Sequence, residues 1–164
     1  MKKQKGFSLI ELLIVVAIIL IIAAIAIPNL LRSKMAANEA SAVGSMRSIN
    51  TAMVTYASSY PDSGYAAALA NLGGTSAQCL PGVVATTANA CLIDSVLTLG
   101  AKSGYTFLAA GGTPVNGVNQ TFTSSAVPNT IGTTGQRGFG SSQSGVIYYT
   151  LTGVIPPAGS SALQ

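Results

Sequence analysis

The chain has no histidine, no tryptophan and only four acidic residues among 164: Glu11, Glu39, Asp62 and Asp94. Those absences exclude most active-site chemistry. A Ser-His-Asp triad, a His-containing metal site or a pair of catalytic carboxylates has almost nothing to be built from. No acid follows Asp94, so a calcium site made of carboxylates has no material in the C-terminal half. Charge of either sign is scarce: 7% of residues are charged, where about a quarter is usual. The net charge of +4 is local, because Lys2, Lys3 and Lys5 supply three of the eight basic residues. The other five basic residues face four acids, and no basic surface suited to nucleic acid is expected. Gly138 and Gly140 open something like a dinucleotide fingerprint, but position 143 is Gln and no strand–turn–helix context surrounds them. No enzymatic activity and no cofactor are expected.

What the chain does have is one long apolar run. From Phe7 to Ile27 every residue except Ser8 and Glu11 is apolar or Ala. As a helix those residues reach roughly 30 Å, the thickness of a bilayer's hydrocarbon core. The lysines precede the run, so the positive-inside rule places the N-terminus in the cytoplasm and sends the rest outward. An ordinary secretory signal peptide fits poorly: the run is long, and Pro28-Asn29-Leu30-Leu31-Arg32 follows it where a small-residue cleavage site is needed. A plain membrane anchor leaves Glu11 unexplained, since a carboxylate in hydrocarbon is costly without a partner and marks a functional position.

The segment Lys5-Gly6-Phe7-Ser8-Leu9-Ile10-Glu11-Leu12 resembles the cleavage and methylation motif of type IV prepilins and pseudopilins. The resemblance is clear over about the first 60 residues and extends to the remainder only in general layout. It implies a cut between Gly6 and Phe7 by a membrane peptidase that then methylates the Phe7 amine. Gly6 suits this, because a residue without a side chain lets a protease bind extended backbone. The resemblance further implies that Glu11 pairs with the Phe7 amine of a neighbouring subunit during assembly. An intrasubunit contact is the alternative, since the two positions are four apart.

Beyond the span, Met35, Ala42, Met46, Ile49, Met53, Tyr56 and Tyr60 recur at spacings of seven, four, three, four, three and four. That is one apolar stripe on a continuing helix, destined for core packing. Arg32, Lys34, Glu39 and Arg47 read as its polar complement. Pro28, inside the helix, predicts a kink. After Tyr60, short helices are expected at 66–72 and 92–99 and strands at 105–109, 120–124 and 146–151, with 132–145 as loop. Cys79 and Cys91 are expected to be joined outside the cytoplasm, free buried thiols being the alternative. Asn119-Gln120-Thr121 matches a glycosylation sequon, a pattern frequent by chance.

The expected architecture is α+β and pilin-like: a long N-terminal helix, membrane-spanning in its first half, packed on a small antiparallel sheet. Residues 1–6 are the cytoplasmic leader, 7–27 the membrane and assembly helix, 28–60 the amphipathic continuation, and 61–164 the extracytoplasmic head. The resemblance implies a homopolymer of pilin subunits, a prepilin peptidase, an inner-membrane assembly machinery and membrane lipid as partners. The implied product is a type IV pilus, with the major pseudopilin of a type II secretion system as the alternative.

Overall fold

A computed structural model describes residues 7–157 and 160–163. Helix α1 spans Leu9–Ser59 and includes Pro28. The chain divides into two compact units, one ending at Lys34 and the other beginning at Met35. The helix stops where Tyr60 precedes Pro61, a position at which helical backbone is disfavoured. The expected stripe is the buried one. Ala42, Met46, Ile49, Met53 and Tyr56 are buried, and Tyr60 packs partly covered beside Tyr56, with 4.8 Å between ring centroids. Met35, at the start of the stripe, is only half-buried.

Two short helices and six strands follow: α2 (Leu69–Leu72), α3 (Ser95–Thr98), β1 (Ala101–Lys102), β2 (Tyr105–Gly111), β3 (Phe122–Pro128), β4 (Gly138–Ser142), β5 (Ile147–Thr150) and β6 (Ser161–Ala162). The strands form one antiparallel sheet in sequence order, each paired with the next. Its inner face carries Tyr105, Phe107 and Ala109 from β2, Phe122 and Ala126 from β3, Phe139 from β4 and Ile147 from β5. These residues and the α1 stripe make one core. This is the expected α+β, pilin-like arrangement. Both edge strands are two residues long, which leaves little open backbone for another chain to extend.

The helices are shorter than expected and the sheet is larger. Asp94 starts α3 as its N-cap, accepting the Leu97 N–H at 2.9 Å. β3 begins two residues later than predicted and runs on to Pro128. The main correction is β4, a strand inside the stretch read as loop. Its sequence, Gly-Phe-Gly-Ser-Ser, lacks the bulky alternation that signals a strand. The glycines are there because the chain after β5 crosses the outer face of β4. A Cβ on Gly138 would meet the Val154 carbonyl oxygen, and one on Gly140 would touch Pro156 Cδ at 3.1 Å. Gly138 and Gly140 therefore serve packing, and the fingerprint reading is set aside.

A second correction concerns Glu39, which is not part of a solvated face. It is buried, and its carboxylate accepts from the backbone N–H groups of Gln136 (2.8 Å) and Arg137 (3.0 Å) and from Arg137 Nε (2.6 Å). Arg137 lies over the rings of Phe139 and Tyr149, and Tyr105 Oη donates to its carbonyl at 2.8 Å. Eleven residues along α1, buried Asn50 donates to Ser141 Oγ at 2.8 Å and accepts from Ser124 Oγ at 2.9 Å. The two polar contacts hold α1 to β3, β4 and the approach to β4. Side-chain networks satisfied in this way specify one register, where an apolar stripe alone would permit sliding.

Cys79 and Cys91 are joined, with Cα atoms 5.6 Å apart. The loop they close is tied to α1 by Tyr56 Oη, which donates to the Thr87 carbonyl at 2.8 Å. Replacing both cysteines by serine is expected to lower head stability by about 3 kcal/mol, the entropy of a loop this short in the unfolded chain. Denaturant titration of oxidised and reduced protein measures it, and non-reducing peptide mapping should recover the Cys79–Cys91 peptide. Two alkylatable thiols in the native protein would contradict the pairing.

Candidate functional site

The first turn of α1 has a built N-terminus. Ser8 stands at the N-cap position and Glu11 at the third helical residue. Glu11 Oε2 accepts the Ser8 backbone N–H at 2.9 Å. This is half of a capping box, in which the acid satisfies a donor the helix cannot. The Ser-x-x-Glu spacing is the sequence signal for this cap. The intrasubunit contact of Glu11 is thus with the N–H of Ser8. Gly6 and the lysines at positions 2, 3 and 5 lie outside the described residues. Phe7, the first described residue, is 81% exposed.

From Phe7 to Leu31 the side chains are exposed along the whole helix, Ala23 alone being partly covered. This is the one helix among the described residues long and apolar enough to cross a membrane. Apolar surface on this scale marks contact with lipid or with other protein. Pro28 lies inside it and has no N–H to offer the Ala24 carbonyl, so the helix loses a backbone hydrogen bond there. Glu11 is the single ionisable side chain between Phe7 and Leu31.

Comparison with known proteins meets this geometry at the same residues. The model of the prokaryotic N-terminal methylation motif matches residues 1–27. The family-level likeness is confined to this N-terminal segment. The chain is also similar to the "Type IV wide pilus major component PilA4" of Thermus thermophilus, with 62% identity over 39 residues. That likeness covers 24% of this chain and 30% of the relative. No solved structure matches the chain.

Asn119, the sequon asparagine, is already engaged. Its Nδ2 donates to the Tyr65 carbonyl at 2.9 Å, and its backbone pairs with Ser63 and Tyr65. The residue anchors the loop before β3 and does not present a free amide.

Proposed function

We propose that the chain is a prepilin cut between Gly6 and Phe7, N-methylated on Phe7 and polymerised through α1 into a type IV pilus. The observation that carries this reading is the join of three features: the Lys-Gly-Phe…Glu motif, an exposed apolar helix, and the continuation of that helix into a packed head. Before assembly the subunit sits in the inner membrane with lipid around residues 7–27, its N-terminus cytoplasmic on the strength of three lysines. Residues 28–60 carry the helix into the extracytoplasmic head, 61–164. Its partners are the prepilin peptidase, the assembly machinery and other copies of itself.

Cleavage changes the chemistry of Glu11. In the precursor the Phe7 nitrogen is a peptide nitrogen. After the cut it is an amine and carries a positive charge. The carboxylate that caps Ser8 then has a cation within reach, its own or that of an adjacent subunit. In an apolar bundle a matched pair avoids leaving either charge alone. Pro28 is the place where the helix yields when subunits pack, because one of its backbone bonds is already missing.

The type II secretion pseudopilin is the second reading. Two observations favour the pilus: no carboxylate follows Asp94 to hold a cation in the C-terminal loops, and the PilA4 relative is described as a major pilus component. Electron microscopy of cells with and without the gene decides between them. The pilus reading expects surface filaments that vanish on deletion and contain this chain. Unchanged filaments together with a secretion defect would support the pseudopilin.

A further inference from the structure

The outer face of the sheet, the face turned away from α1, holds a cleft of about 580 Å³. Its floor follows from strand register. One cross-strand row runs Leu108, Ser125, Gly140 and Tyr148; the next runs Ala110, Thr123 and Ser142. Ser125 and Gly140, the small residues between Leu108 and Tyr148, make the depression. The segment Ile155–Pro157 forms its wall, seated over Gly140. Two prolines restrict that wall, so the cleft is largely preformed.

The polar groups in the cleft are all neutral, and several have no partner. Ser125 is 9% exposed, yet its hydroxyl makes no hydrogen bond among the described residues. Its oxygen is not sealed from solvent either, because every fully enclosed side-chain polar atom among the described residues has a partner. The Ser125 hydroxyl therefore opens into the cleft, held there by the strand and unbonded among the described residues. The same register sets Thr123 and Tyr148 around it, and neither hydroxyl is bonded to another described residue. No ionisable carboxylate, guanidinium or ammonium lines the site. Away from the cleft, Glu39 pairs with Arg137 and Asp94 with Lys102.

We propose that this cleft binds a neutral sugar ring. Rigid hydroxyls give and accept hydrogen bonds with ring hydroxyls. Leu108, Tyr148 and the prolines cover the apolar C–H face of the ring. An acidic or phosphorylated ligand would find no cation here, and a purely apolar one would bury the Ser125 hydroxyl unpaired. The cleft belongs to the head alone, so the inference stands whether or not the chain forms fibres.

The test is NMR of the isotopically labelled full chain in detergent micelles, titrated with the uncharged methyl glycosides of glucose, galactose, mannose, N-acetylglucosamine and N-acetylgalactosamine. At least one glycoside is expected to shift the signals of Leu108, Thr123, Ser125 and Tyr148 saturably. Ser125→Ala removes a hydroxyl that has no partner among the described residues, so it should leave the melting midpoint unchanged while weakening binding about fivefold, as for one hydrogen bond. Ala110→Trp, at an exposed position on the floor, should abolish the shifts while the rest of the spectrum stays native. Absence of any saturable shift, or shifts that persist in both variants, overturns the proposal. So do saturable shifts of the same signals on adding a peptide of residues 79–91 when no glycoside produces any, which would make the cleft a seat for a second copy.

Discussion

Glu11→Leu is expected to give a subunit that is cleaved and inserted normally but yields almost no filament. The substitution removes the only acid between Phe7 and Leu31, so partition into the bilayer becomes easier. Gly6 and Phe7 remain for the peptidase, and the head, folded from Met35 onward, is untouched. What is lost is the carboxylate that a neighbour's Phe7 amine would meet. That amine would enter an apolar bundle without a partner, and the penalty recurs at every addition to the fibre. Filament in a shear fraction should fall by about a hundredfold or more, while cleaved subunit accumulates in membranes. Because Glu11 also caps Ser8, a second variant separates the two roles. Glu11→Gln keeps an oxygen acceptor for the Ser8 N–H and discards the charge. The pairing account expects it to fail like leucine. Full filament yield from Glu11→Gln would reduce the acid to a cap.

Glu39→Ala is expected to lower the stability of the head by about 3 kcal/mol, close to what breaking a buried ion pair costs. Three donors lose their acceptor at once, two of them backbone N–H groups in the approach to β4. Arg137 is 35% exposed and recovers some hydration, which keeps the cost at the low end of that range. For a head of this size the loss is a drop of roughly 10 °C in melting midpoint. Lys102→Ala, which breaks an exposed pair with Asp94, should cost well under 1 kcal/mol.

The pH dependence follows from the same contacts. Burial pushes the Glu39 carboxyl up, but the Gln136 and Arg137 donors together outweigh it and hold it below its ordinary value of 4.5. A group with a depressed folded pKa stabilises fully above the unfolded value and loses that contribution as pH falls through the folded one. Wild-type stability should therefore decline below about pH 4.5, and the gap between wild type and Glu39→Ala should narrow there. A gap that stays constant down to pH 2 would refute the clamp.

The long helix was legible because its apolar residues keep one period from Ala42 to Tyr56, and its apolar first half because it has almost no polar interruption. Glu39 and Asn50 were not legible. A polar residue on a helix reads as solvated unless its partners are known, and here the partners lie 97, 98, 91 and 74 residues away in sequence. β4 was hidden for a related reason: its glycines answer to a segment that crosses the sheet only after β5. The cleft was invisible for the same cause, since it exists only once register aligns Ser125 with Gly140. The N-terminal motif was the easiest part to read, because all its residues are neighbours in the chain.

The most direct test of the account is mass spectrometry of the mature protein's N-terminus. On the proposed reading, cleavage and methylation are the steps on which every later role of Phe7 and Glu11 would depend. The expected result is a chain beginning at Phe7 and carrying one added methyl group. An intact Met1, or a cut beyond the apolar run that removes Glu11 with it, would contradict the pilin reading.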